Sequence, residues 1–532
     1  MILLLLFLLT MMSATALAQP VHDSSVLQAQ STRTAPLTIE EVLARIELTH
    51  PLLRAAGLER AQARAKVLKA LGPWEPKFRN EIEYDRYQTY NLTNATGLNS
   101  LSAGYVDTFL KIGHPWGWEL FAGIRNVYGD RATLEGNRAY PIIDERNVQS
   151  PGIAVPQDFQ LFYPQQMGIV GGRFNLLRGF MINEEYAQLQ QAELGGPKAE
   201  VKVAQKRQDL YLAGAVQYWD WQVAVRQAEM VKRALAVAEE RYGMVEGRAK
   251  GGAIAPIDVV EAREEVQRRR EAAIAAQRKV EYEQYKLALF LWENGEPVTP
   301  RPEWAPEFQG ETPLPSDDDI AIAKDSARED RPEVRELYIE AKLNNIELKL
   351  AKNGLLPKLT VEGGPAIGSI YWVGGIGYRT GVLFSMPLFN RGARGKVLHA
   401  EAEQTRLAYK QAYTERQVEI DVDNWLSAIV RARDRVKAST EALRLAKTLE
   451  EGERARFNMG ATSVLFVNLR ERAVVEAAYE LYRAQADYAV ARGGMLWAKG
   501  ALSKPLDGKI LEKYGNPVHA AGASGFKRSG RD

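Results

Sequence analysis

Thr49-His50-Pro51-Leu52-Leu53-Arg54, followed by Pro76-Lys77-Phe78, returns later in the chain as Asp330-Arg331-Pro332-Glu333-Val334-Arg335, followed by Pro357-Lys358-Leu359. Pro51 and Pro76 are 25 residues apart, and so are Pro332 and Pro357. A spacing kept this closely, with Pro-Lys-apolar after it both times, marks an internal repeat. Such a repeat overrides any domain count taken from the length of 532 residues.

Each copy carries its own punctuation. Thr38-x-x-Glu41 and Ser316-x-x-Asp319 read as capping boxes that open short helices. Pro51 and Pro332 suit the first turn of a second helix, where a missing N–H costs nothing, and Pro76 and Pro357 stop it. Beyond them the period changes to two: Phe78, Ile82 and Tyr84 alternate with Arg79, Glu81, Glu83 and Asp85, and Leu359 and Val361 with Thr360 and Glu362. That period predicts strands.

The strand regions close at Leu176-Leu177-Arg178-Gly179 and at Leu388-Phe389-Asn390-Arg391-Gly392. Long helical runs follow, 179–250 and 392–459, broken only by Pro197. At 1.5 Å per residue each spans roughly 100 Å, more than a compact domain holds. Trp221, Ala224, Ala228, Val231, Leu235, Ala238 and Tyr242 recur at gaps of three and four, as do Val418, Val422, Trp425, Ile429, Ala432 and Val436. This is a coiled-coil seam, and its alanines imply close approach. Each run turns at glycine, Gly251-Gly252 and Gly460, and return helices are predicted over 257–294 and 464–500. A return helix plus the Pro-bounded segment nearly equals the long helix beside it, so the two stack end to end as its antiparallel partner. The chain therefore divides into repeat 1 (37–294), a Pro-rich linker (295–316) and repeat 2 (317–501, strands over 358–388). Residues 19–36 and 502–532 read as flexible ends.

Met1 to Ala18 has an apolar core and ends in Ala16-Leu17-Ala18, which predicts a signal peptide over 1–18 and export. The chain has no cysteine, so none is available to carry a lipid anchor. Past residue 18 no apolar stretch is long enough for a spanning helix, and any membrane crossing must be a β-barrel. With 69 basic and 67 acidic residues the charge balance offers nothing to nucleic acid. Arg268-Arg269-Arg270, flanked by Glu264, Glu265 and Glu271, reads as a solvated, salt-bridged helix face.

Taken in order and in duplicate, these segments resemble the TolC-type outer-membrane efflux factors, the outer membrane efflux protein family, over residues 37–500. The resemblance rests on Pro51-Leu52-Leu53-Arg54 and Pro332-Glu333-Val334-Arg335, the strand entries Pro76-Lys77 and Leu355-Leu356-Pro357-Lys358, the exits Leu176-Leu177-Arg178-Gly179 and Met386-Pro387-Leu388-Phe389, and the turns Gly252-Ala253-Ile254-Ala255-Pro256-Ile257-Asp258-Val259 and Arg456-Phe457-Asn458-Met459-Gly460. It implies a mixed α+β fold. Long antiparallel coiled-coil helices would form a periplasmic tunnel, and β-hairpins a shared outer-membrane barrel in a homotrimer, four strands per subunit and twelve in all. It also implies a periplasmic adaptor and an inner-membrane pump as partners, outer-membrane lipid around the barrel, and no catalysis or cofactor.

Two departures stand out. Pro76 to Leu176 spans 100 residues against 31 from Pro357 to Leu388. The excess, about 89–168, includes His114-Pro115-Trp116-Gly117-Trp118 and reads as a long cell-surface loop with room for a further hairpin. At the tip, where the resemblance leads one to expect aspartates after the second turn, the matching positions hold Phe466 and Leu469. The tip set is thus Gly252, Pro256, Asp258, Gly460, Phe466 and Leu469, with a partly hydrophobic closing ring and Asp258 as the charged contribution.

The five histidines are scattered and form no metal spacing, and Gly363-Gly364 and Gly374-Gly375 lie in strand sequence without a dinucleotide fingerprint. The rival reading is a soluble periplasmic coiled-coil scaffold or adaptor without a pore, and only the strand segments discriminate.

Overall fold

A computed structural model describes residues 35–90, 98–129, 166–252, 255–308, 313–370 and 373–514. The expected signal peptide, 1–18, and residues 515–532 of the expected tail lie outside these. Three short helices open the chain: α1 (Ile39–Thr49), α2 (Pro51–Gly57) and α3 (Glu59–Leu71). The Thr38 hydroxyl accepts from the Glu41 N–H, and His50 Nδ1 caps α2 by accepting from the Leu52 N–H at 3.2 Å. Four strands follow, β1 (Lys77–Tyr90), β2 (Leu98–His114), β3 (Trp118–Gly129) and β4 (Gln166–Asn175). Then come α4 (Glu184–Glu193), the 56-residue α5 (Gly195–Lys250) and its return helix α6 (Pro256–Ala288). A two-residue hairpin, β5 (Trp292–Glu293) and β6 (Glu296–Pro297), leads into the linker. The second repeat consists of α7 (Asp317–Asp330), α8 (Pro332–Asn353), β7 (Lys358–Ile370), β8 (Val373–Ser385), the 68-residue α9 (Arg391–Asn458) and α10 (Val464–Ala498), and α11 (Gly508–Tyr514) ends the described chain.

The Pro-bounded segment of repeat 1 is two helices rather than one, broken at Leu58 after Gly57, where its counterpart α8 is continuous. The first long run is also divided. Pro197 has no N–H to give the carbonyl four residues back, and the helix breaks one turn earlier, at Leu194. At about 1.5 Å per residue α5 is roughly 85 Å long and α9 roughly 100 Å.

The expected seams are the core. Tyr211, Tyr218, Trp221, Ala224 and Val225 of α5 pack with Leu37, Val42 and Ile46 around α1, Val280 and Leu287 of α6, and Trp304 of the linker. Val418, Val422, Ile429 and Val436 of α9 pack on Leu481, Ala484, Tyr488 and Ala491 of α10, with Ala323, Ala327 and Val334 above. The proline-rich linker is strapped to the helices it crosses. Proline supplies no donors, and side chains do so instead: Gln284 Nε2 to the Pro300 carbonyl and Gln222 Nε2 to the Pro306 carbonyl, both 2.7 Å. Residues 502–514 do not hang free as the sequence reading had it. Leu502 and Leu506 join the first core, the Ser503 carbonyl accepts from Arg207 at 2.9 Å, and the Tyr514 hydroxyl lies 3.2 Å from that of Thr38.

Six strands form one antiparallel sheet in the order β1-β2-β3-β4-β7-β8. Repeat 1 thus brings four strands to the hairpin of repeat 2, and among the described residues the sheet holds six rather than the four implied by resemblance. Residues 98–129 of the long insertion are wall rather than loop, while 130–165 lie outside the described residues. The antiparallel course also relocates His114-Pro115-Trp116-Gly117-Trp118. Because β1 leaves the helices and β2 returns, the turn between β2 and β3 lies at the helical end, not at the cell surface. There the Asn183 side chain donates to the Pro115 carbonyl at 2.9 Å and the His114 ring stacks on Trp118 at 4.4 Å. Gly117, at φ 83°, sits so close to Gly179 that a Cβ would lie 2.1 Å from its carbonyl oxygen.

On α10, a Cβ added at Gly494 would lie 2.3 Å from the Trp425 ring of α9. Gly494→Ala therefore wedges the second seam apart, at a cost of roughly 2 kcal/mol. A lowered midpoint of helix unfolding by circular dichroism is expected, and an unchanged one would show that Trp425 swings away freely.

Candidate functional site

Both glycine turns lie at the end of the helices remote from the sheet. At the second, the Gly460 N–H (φ 74°) donates to the Phe457 carbonyl at 3.0 Å and the Ala461 N–H to Arg456 at 2.9 Å, the paired bonds of a Schellman cap. At the first, Gly252 (φ 76°) ends the α5 turn, Pro256 takes the first position of α6, and Asp258 sits in its first turn, where a carboxylate suits the helix dipole. The two turns belong to one structure. Val245 of α5 and Ala262 of α6 pack on Phe457 of α9 and on Val464 and Val467 of α10, and the Arg248 guanidinium lies 5.4 Å from the Phe457 ring centre.

Around this small core the tip displays apolar side chains. Phe466 and Leu469 are each 50% exposed, and Ile257, Val260 and Leu465 are exposed beside them. Phe466 is thus outside the core of the single chain. The structure gathers Gly252, Pro256, Asp258, Gly460, Phe466 and Leu469 at this one end. The acidic side of α6 is strained: burial, then Asp258 and Glu264, holds the Glu261 carboxyl above its ordinary value.

A group the sequence reading missed lies about two turns above. Arg241 (α5), Glu265 and Arg269 (α6), and Asn468 and Glu471 (α10) are all buried. Arg241 donates to Asn468 Oδ1 at 2.7 Å and pairs with Glu471. Arg269 binds Glu265 and Glu471, both at 2.8 Å, and donates to the Ala234 carbonyl. Arg472 closes on Glu265 at 2.8 Å, and Arg454 of α9 reaches Glu471 at 3.3 Å. Arg269 is therefore no solvated residue: of the Arg268-Arg269-Arg270 run only the outer two face water, and the middle one is a bolt between hairpins. Its signal was available, since Glu471 follows Val464 and Val467 at seam spacing, where a charge needs a buried partner.

The electrostatics favour this paired arrangement. Burial, followed by Arg269 and Arg454, pushes Arg241 down to about 10, so it remains a cation at neutral pH. Burial alone would raise Glu265, but hydrogen bonds from Arg269 and Arg472 outweigh it and hold this carboxyl below its ordinary value. The cluster ties the α5–α6 hairpin to the α9–α10 hairpin just above the tip.

With this geometry in view, the sequence model of the outer membrane efflux protein family matches residues 324–504. The match covers most of the second repeat, which is thus similar to an outer membrane efflux protein domain. Among curated proteins none matches the chain in sequence. Solved structures share its fold over most of the chain. The Campylobacter jejuni CmeC outer membrane channel is similar at TM-score 0.61 and 14% identity, over 89% of this chain and 90% of that one. The Vibrio cholerae outer membrane protein VceC is similar at 0.60 and 13%, over 87% and 96%. The open-state Neisseria gonorrhoeae MtrE outer membrane channel is similar at 0.60 and 15%, over 88% and 89%. The fold is that of the outer-membrane efflux channels, and the resemblance drawn from the sequence is borne out.

Glu471→Gln leaves Arg241 and Arg269 short of a buried counter-charge and should cost roughly 3 kcal/mol. Faster hydrogen exchange at residues 238–245 is the expected reading. Because the folded-state carboxyl of Glu265 titrates below its ordinary range, its contribution is present above that range and lost only as pH falls through the lowered value. In the unsubstituted protein, the protection of these amides relative to their intrinsic exchange rates should accordingly hold steady between about pH 7 and 5 and fall only in stronger acid. Loosening already near neutrality would contradict the assignment.

Proposed function

We propose that this chain is the outer-membrane exit duct of a tripartite efflux or type I secretion assembly, acting as a homotrimer. One observation carries the reading, the two-faced sheet. One face bears Phe78, Ile82, Tyr84, Leu110, Ile112, Leu120, Ile124, Val170, Phe174, Ile367, Ile376, Tyr378, Val382 and Phe384, exposed on every strand and in register from β1 to β8. Asn80 and Thr108 on this face satisfy each other at 2.8 Å. The opposite face is ionic, with Asp107–Arg125 at 2.6 Å, Lys111–Glu119 at 2.8 Å and Arg173–Glu362 at 3.0 Å. Apolar-out and polar-in is the pattern of a barrel in lipid around water. A soluble scaffold has no use for such an apolar face. Among the described residues no helix is long and apolar enough to cross a membrane.

Ion pairs recur along the inner face of the described residues, so the wall offers a hydrated surface that lets diverse solutes pass. The helices carry the conduit into the periplasm, and the tip meets a periplasmic adaptor and an inner-membrane pump. The duct itself does no catalysis and needs no cofactor. Three copies of Phe466 and Leu469 form a hydrophobic constriction at the tip, and Asp258 supplies its charge.

In planar bilayers, Phe466→Ala should raise single-channel conductance or open probability. Unchanged conductance and closure would refute the ring. Release of the protein from membranes by carbonate without detergent would refute the channel itself.

A further inference from the structure

We propose that the closed wall contains eighteen strands, three copies of six, with β1 of each subunit paired to β8 of the next. The inference rests on the trimeric reading above. No strand among the described residues pairs with the outer edge of β1 or of β8. In lipid such edges cannot stay open, because each unpaired N–H and C=O costs several kcal/mol. Their directions are complementary: β1 runs away from the helices and β8 runs back toward them, so a neighbouring copy brings an antiparallel partner of nearly equal length, 13 residues against 14. An even number of strands per subunit keeps this alternation around the ring, and extra wall must therefore come as a hairpin.

Three observations put the additional strands in the wall rather than outside it. β1 and β2 pair without a bulge over all 14 residues of β1. Phe78, Ile82, Leu110 and Ile112 extend the apolar face of β3, and Asp107 of β2 is buried in its ion pair with Arg125 on the polar face of β3. The β2–β3 turn is locked onto the β4–α4 junction through Gly117 and Asn183, so the hairpin cannot hang free. At a spacing of about 4.8 Å and a tilt of about 40°, eighteen strands enclose roughly 36 Å between backbones, against roughly 24 Å for twelve.

Because the chain has no cysteine, paired substitutions report contacts cleanly. Val382→Cys on β8 is combined in turn with Phe78→Cys, Asn80→Cys, Ile82→Cys or Tyr84→Cys on β1, and separately with Leu120→Cys or Ile124→Cys on β3. Membranes are then oxidised and run on non-reducing gels, with native mass measurement alongside. The expected result is covalent dimers and trimers for at least one β1 pair and none for the β3 pairs. A trimer that cross-links through β3, or through neither strand, overturns the eighteen-strand wall and leaves the channel reading standing. Cross-links from β1 to β8 within one chain do the same. A particle that is not trimeric overturns the oligomeric reading itself.

Discussion

Every other dimension of the molecule follows from two helices that cannot stand alone. A helix of 56 or 68 residues with a narrow apolar seam is stable only against a partner of equal length. This chain builds that partner from two shorter helices laid end to end, α6 below α1–α3 for α5, and α10 below α8 for α9. The difficulty moves to the junctions, where helix ends with open carbonyls and amides meet in the interior. At the second junction one side chain resolves it. Arg331 is buried, lies 3.9 Å over the Trp497 ring, donates to the Ala498 carbonyl and pairs with Glu333 at 3.0 Å. A cation thus ends α10 while Pro332 begins α8. At the first junction the Trp292 indole plays the corresponding part, donating to the Leu289 carbonyl at the end of α6 at 2.7 Å.

The sheet obeys a different arithmetic. Its unit is the hairpin, since only strands added in pairs preserve antiparallel neighbours, and the wall can widen while the helical frame keeps its twofold repeat. Glycine makes the polar face workable. A Cβ at Gly123 would lie 2.2 Å from the Phe109 ring, and one at Gly171 would lie 2.5 Å from that of Phe121. These rings lie flat against bare backbone instead of projecting inward.

What could be read from the sequence was what is local and periodic: the repeat, the Pro-Lys strand entries, the seams at three-and-four spacing and the glycine turns. β2 and β3 were not legible as wall because period two needs one apolar and one polar face. Here Phe109 and Phe121 sit on the ionic side while Thr108 and Asn126 dilute the lipid side. Arg269 was misread for a related reason. A run of three arginines says nothing about which of them points inward, and its partner Glu471 lies about two hundred residues away. The tip was legible by position, from its glycines and Pro256, but the tie that holds its two hairpins together is a tertiary fact.

The turn at Gly117 has a mechanical consequence. It pins the β2–β3 turn backbone against backbone to the segment between β4 and α4, so the helical end of the sheet is tied to the start of the first helical run. Arg226 is the lowest α5 residue that the proline-rich linker grips, through the Ala305 carbonyl, and 24 residues run from it to Lys250. That stretch is a lever of roughly 36 Å. A tilt of about 10° at the strap would sweep its end through roughly 6 Å, and because Glu471 pairs with both Arg241 and Arg269 the α9–α10 hairpin would have to move with it.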